Sequence, residues 1–275
     1  MKSGSSTKTR KTSGPGPLAH DAWERSWQKY WRKAGRPGYE LPAGSPGGDE
    51  REFLASARTR EKEAARLGRI HNEFARAFKA LQPVGPAVTV FGSARFKPAH
   101  PYYKLARAVG SELARAGFAT LTGGGPGIME AANRGAHEAG GDSYGLNIIL
   151  PHEQCANPYV DGSIEFHYFF TRKVCLVKYS CAFIVMPGGL GTLDELFEAS
   201  TLIQCQKIGP FPVVLVGKKF WRGMQIWGQS MMKAGVFAQE EIGFGRVVDS
   251  AKEAVDLILR GLPPDVLQML KPIKD

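Results

Sequence analysis

The 275-residue chain is predicted to be an α/β protein, a doubly wound Rossmann-like parallel sheet with helices on both faces, preceded by a helical N-terminal extension. Three observations carry that prediction. After Pro86, short apolar runs alternate with stretches of helical length. The runs are rich in Val, Ile, Leu and Phe without polar alternation, as strands buried on both faces read. Small residues cluster where three of the runs end, which is where open parallel sheets place their ligands.

The composition agrees. At 43% hydrophobic and 23% charged residues the chain is neither disordered throughout nor a disulfide mini-protein, and it is long enough for a sizeable core. No apolar run reaches 18 residues, so no membrane span is expected. The polar, basic start is not followed by an apolar stretch, so no secretory signal is read and a cytoplasmic address is expected.

Residues 1–20 are Ser, Thr, Gly, Pro and Lys with almost nothing apolar, and are expected to be a disordered basic tail. Residues 21–82 read as the helical extension. Trp23, Trp27, Tyr30 and Trp31 recur at helical spacing, residues 35–48 form a Pro/Gly-rich link, and residues 49–81 read as a helix. Its apolar stripe is Leu67, Ile70, Phe74, Phe78 and Leu81, which must pack on something. Residues 83–275 form the sheet domain, with strands predicted at 87–91, 118–121, 144–150, 182–186, 212–216 and 246–248. Helices are predicted at 102–116, 127–139, 172–179, 193–204, 220–234 and 251–260.

Net charge is +10, and residues 1–60 hold 12 Lys/Arg against 6 Asp/Glu, so the excess is mostly terminal and reads as a solvated tail rather than a nucleic-acid surface. Cys155, Cys175, Cys181 and Cys205 match neither a CxxC pair nor a zinc ribbon and read as free thiols in or near the core. The six histidines form no metal-ligand spacing, so no metal is expected.

Three strand ends carry candidate chemistry. Gly92 and Ser93 follow the first strand, with Arg95 beside them. Gly123, Gly124 and Gly125 follow the second. Pro187, Gly188, Gly189, Gly191 and Thr192 follow the strand at 182–186. Glycines at a helix start let backbone N–H groups approach an anion, yet none of these turns has GxGxxG or P-loop spacing, and tight packing turns explain them equally well. Thr192 and Glu195 fall in the first turn of a helix, as caps or as site residues. Arg172 and Lys173 sit at another helix start, where cations oppose the dipole and a bound anion would compensate.

The element Pro187-Gly188-Gly189-x-Gly191-Thr192-x-x-Glu195, with Arg172-Lys173 upstream, resembles the LONELY GUY (LOG) family. These phosphoribohydrolases release the free base from cytokinin riboside 5'-monophosphates and were formerly labelled lysine decarboxylases. The resemblance spans about residues 87–260, and the stretch from Gly145 to Tyr168 resembles the longer bacterial branch.

It implies catalytic roles for Arg172 and Glu195, and substrate contacts from Gly92, Ser93, Gly123, Gly124, Gly125, Glu153, Lys173, Gly188, Gly189, Gly191, Thr192 and Thr201. It implies a nucleoside 5'-monophosphate as small-molecule partner, no cofactor, and a homo-oligomer, dimer or hexamer, with its site at a subunit interface. Pyridoxal phosphate chemistry is disfavoured, since the glycine turns account for a phosphate without that cofactor. The competing reading is a non-catalytic nucleotide-binding module on the same fold. Two departures stand out: Glu130 in the second turn, and the helical extension before Pro86, which the short plant enzymes lack.

Overall fold

The computed structural model describes residues 25–29, 32, 57–150, 155–209, 211–236, 238 and 245–273. The chain divides into two compact units, 1–54 and 55–275. In the first, residues 25–29 and 32 are helical and Trp27 is exposed. The expected basic tail at 1–20, the link at 35–48 and Glu153 lie outside the described residues.

The second unit is the predicted α/β sheet. Its elements run α1 (Arg60–Leu81), β1 (Ala87–Phe91), α2 (Pro101–Arg115), β2 (Ala119–Thr122), α3 (Ile128–Glu138), β3 (Ser143–Ile148) and β4 (Gly162–Phe166). They continue through α4 (Phe169–Lys178), β5 (Ala182–Val185), α5 (Leu190–Gln204), β6 (Val213–Val216), α6 (Lys218–Lys233), β7 (Gly245–Val248), α7 (Ala251–Gly261) and α8 (Pro264–Met269). The strands pair in parallel in the order β4-β3-β2-β1-β5-β6-β7. Chain direction across the sheet reverses between β1 and β5, so the switch point lies there.

Residues of β1 alternate between two cores. Val88 and Val90 point to a layer holding α2, α3 and α7 through Tyr103, Leu113, Ile128 and Ile258. Ala87 and Phe91 point to the opposite layer, with Leu176 of α4, Leu196 of α5, Trp221 of α6 and Ala77 and Leu81 of α1. Each large side chain fully buried this way contributes about 1.5–3 kcal/mol. Local signals start the helices: Pro101 follows the His100 cap of α2, and Ser250 with Glu253 forms the capping pair of α7.

The structure departs from the sequence reading in four places. β4 was not predicted, because as an edge strand it exposes Ser163 and Glu165 and lacks the continuous apolar run. Neither was the short α8. Helix α1 begins at Arg60, since residues 57–59 are non-helical and Thr59 Oγ1 accepts from Lys62 N, while residues 49–56 of the predicted helix lie outside the described residues. Its buried face is Glu73, Ala77 and Leu81, with Ile70 and Phe74 half-buried, while Leu67 is 66% exposed. The helix turns its Glu73 side inward because that carboxylate has partners there. Of the cysteines only Cys175 is buried, while Cys155 and Cys205 are exposed.

Candidate active site

Three loops meet at the carboxyl ends of β1, β2 and β5. Ser93 is their junction: its N–H donates to Pro187 O at 3.1 Å, its carbonyl accepts from Ile128 N at 3.0 Å, and its hydroxyl accepts from Arg95 N at 3.1 Å. So close a meeting requires small residues. A Cβ on Gly92 would collide with Ile128 Cγ2, and Gly127, at φ +73°, would bring one 2.5 Å from Ser93 O. Beside the junction opens a cleft of about 680 Å³, lined by loop 92–96, Gly123, Met129, Phe169, Arg172, residues 188–192, Asp194, Glu195 and Phe220.

Arg172 and Glu195 line this cleft together, Arg172 from the end of the first turn of α4 and Glu195 from α5. They are 8% and 9% exposed. Burial pushes the Glu195 carboxyl above the ordinary 4.5, and the Arg172 charge pulls it back down. Burial lowers the Arg172 pKa, and Glu195 opposes that change. Each therefore supports the other's charge in a place where either alone would be costly. The Arg172 guanidinium lies against Gly123, where a Cβ would collide with its Nη2, and its buried Nε has no hydrogen-bond partner among the described residues.

Glu195 is the sixth residue of α5, counted from Leu190, and so lies in the second turn rather than the first as the sequence predicts. It does not cap the helix. Nor does any side chain at the N-cap, which is Gly189, so the first N–H groups of α5, on residues that line the cleft, have no intrahelical partner. Gly188 is required by packing, because a Cβ there would collide with Thr192 Oγ1. Gly189 and Gly191 have nothing within 4 Å of an added Cβ and border open space.

The second glycine turn divides. Gly123 lines the cleft, whereas Gly124 and Gly125 face a buried polar network and do not line it. Asn157 donates from its backbone N to Gly124 O at 2.8 Å, and from Nδ2 to Gly124 O, Gly125 O and Asn133 Oδ1 at 3.1, 3.3 and 3.0 Å. Asn133 also accepts from Thr122 Oγ1 at 2.6 Å and donates to Ser143 Oγ at 2.8 Å. Gly124, at φ +71°, has no room for a Cβ beside Asn147 Oδ1. The network makes this turn a rigid wall. Glu130 belongs to the scaffold too, accepting from Tyr103 OH at 2.6 Å, which together with burial pushes that phenol up to about 12.

Two further expected contacts lie elsewhere. Lys173 does not line the cleft: its Nζ pairs with Asp194 Oδ1 at 3.3 Å and Glu198 Oε2 at 2.9 Å, tying α4 to α5. Thr201 is two turns farther along α5, donates to Phe197 O at 2.8 Å, and lines a separate cavity of about 420 Å³ between α5 and α6. Besides Arg172, the cation that lines the cleft is Arg95, exposed and with no side-chain partner among the described residues. Its place at the end of the first strand, beside Gly92 and Ser93, is the sequence signal for it. No cluster of three or more His, Cys, Asp or Glu that could hold a metal occurs among the described residues, and no described helix is long and apolar enough to cross a membrane.

Comparison with known proteins fits this geometry. A family model described as "Possible lysine decarboxylase" matches residues 129–258. The cytokinin riboside 5'-monophosphate phosphoribohydrolase of Mycobacterium marinum is 29% identical over 66% of this chain and 98% of its own length. That of Mycobacterium tuberculosis is 32% identical over 55% and 82%. Among solved structures, TM1055, a structural-genomics target, is 25% identical with a TM-score of 0.50, over 64% of this chain and 99% of its own. With its glycine turns, Arg172 and Glu195 gathered at the switch point and these relatives matched over most of their length, the chain belongs to the LOG family of phosphoribohydrolases.

Proposed function

We propose that this chain hydrolyses the N-glycosidic bond of purine riboside 5'-monophosphates, including cytokinin forms, to free base and ribose 5-phosphate. The observation that carries the reading is that Arg172 and Glu195, both buried, line one cleft beside the N-terminus of α5, which no N-cap side chain caps. Cleavage of the C1'–N bond builds positive charge on the ribose. The Glu195 carboxylate stabilises that charge and orients the water whose oxygen bonds to C1', while the base departs with the bonding electrons and takes up a proton. Arg172 keeps Glu195 ionised and in place.

The 5'-phosphate suits the open backbone at Gly189 and Gly191, with Thr192 beside it and Arg95, a cation unpaired among the described residues, at the cleft edge. Binding energy at the phosphate then positions the sugar for reaction. Lys173 contributes by holding Asp194 and Glu198 rather than by touching substrate. We also infer a homo-oligomer. Phe169 and Leu190 are apolar and exposed at the cleft mouth, Leu190 at 87%, and sedimentation as a monomer would refute the assembly.

Incubation of pure protein with AMP, isopentenyladenosine monophosphate, CMP, GMP and adenosine tests the activity. Base and ribose 5-phosphate are expected from the purine monophosphates and little from adenosine. No base release from any of them overturns the proposal and leaves a nucleotide-binding module, read by which nucleotide raises the melting temperature.

A further inference from the structure

Helix α4, which carries Arg172, starts without a cap from its own N-cap residue, since the Tyr168 side chain makes no capping hydrogen bond. The cap comes from α1 instead. Glu73 Oε1 accepts from His167 N at 2.7 Å, and Oε2 accepts from Tyr168 N at 3.5 Å and Thr171 Oγ1 at 2.5 Å. Glu73 is 5% exposed, and no lysine or arginine pairs with it among the described residues. A buried carboxylate without a counter-cation is costly, and here the donors and the positive end of α4 offset it. Its partners bracket one turn, which ends at Thr171, the residue before Arg172. Arg172 N in turn donates to Tyr168 O at 3.3 Å.

We propose that Glu73 is a positioning residue for the reaction, by which the N-terminal extension sets the first turn of α4 and so holds the Arg172 guanidinium between Gly123 and Glu195. This rests on the proposed hydrolysis only for its kinetic consequence. If the grip of Glu73 is lost, Arg172 withdraws from Glu195. The charged groups acting on Glu195 are Arg172 and Lys173 from α4 and Asp194 from its own helix, so a retreat of Arg172 leaves the carboxyl easier to protonate.

The test uses the full chain with Glu73→Ala and Glu73→Gln, and Leu81→Ala as a destabilised comparison on the same helix away from the start of α4. The ¹³C carboxyl titration of Glu195, assigned by its disappearance in Glu195→Gln, is followed beside kcat. The expected result is a midpoint at higher pH in Glu73→Ala, less so in Glu73→Gln, with kcat reduced about 10–100-fold. Leu81→Ala should lower the melting temperature and leave the midpoint in place. An unchanged midpoint in both Glu73 variants, or the same shift in Leu81→Ala, overturns the proposal. Should the wild type release no base, the hydrolysis reading fails while the titration still decides the role of Glu73.

Discussion

The guanidinium of Arg172 rests against the bare Cα of Gly123, so a glycine after β2 and an arginine in the first turn of α4 form one structural unit. A methyl at Gly123 would meet Arg172 Nη2 and lie 2.7 Å from Met129 Sδ. Gly123→Ala should therefore displace the arginine, and an error of about 1 Å in such a group costs on the order of 10²-fold in rate. Steady-state kinetics beside a melting curve would show kcat lost with the fold retained. Wild-type kcat would mean that Arg172 is not needed in this position.

Gly189→Ala should behave differently, because its Cβ enters open space and its backbone is extended. Replacing glycine at a compatible site stabilises by about 0.4–1 kcal/mol through the unfolded chain. The melting temperature should hold or rise. The KM for 5'-monophosphates should rise as well, since the methyl projects where the phosphate would sit.

Arg95→Ala should raise the KM for monophosphates roughly 10- to 100-fold, the scale of one lost charge-assisted hydrogen bond of about 1.5–3 kcal/mol, and leave residual nucleoside turnover unchanged. Lys173→Ala should change that KM far less, because its Nζ is already occupied by Asp194 and Glu198. The reverse ranking would return the phosphate to Lys173.

The pH dependence has a definite sign. Burial lifts the Glu195 carboxyl above 4.5, so kcat/KM should fall on acidification at a pH higher than an ordinary glutamate would set. The Asp194 charge contributes to the rise, so Asp194→Asn should move that limb to lower pH. Added salt should shrink the difference between the two proteins, because Asp194 is half exposed. A limb that does not move in Asp194→Asn would separate it from Glu195.

Asn133→Ala should damage stability rather than chemistry. It removes an acceptor from Thr122 Oγ1 and Asn157 Nδ2 and a donor from Ser143 Oγ, at about 1–3 kcal/mol for each buried group left unpaired. Calorimetry would record a lower melting temperature. Activity should fall less than in Gly123→Ala, since this network supports the turn from behind.

The sheet's central strands and the glycine-rich turns are legible in the sequence, because both are local signals. Residues 87–91 and 212–216 read as strands from apolar runs without polar alternation, and Gly188-Gly189-x-Gly191-Thr192 reads as a turn leading into the helix predicted at 193–204. Edge strand β4 escaped because Ser163 and Glu165 point outward and break the run.

Which polar side chains meet depends on how the elements pack. Arg172 and Lys173 are adjacent, yet successive residues on a helix point in different directions, so one reaches the cleft floor and the other the acids of α5. Glu73 lies 98 residues from Thr171, and no periodicity reports that a carboxylate in an extension will find an uncapped helix start. Local propensity sets elements and turns, whereas side-chain partners depend on how those elements pack across the sheet.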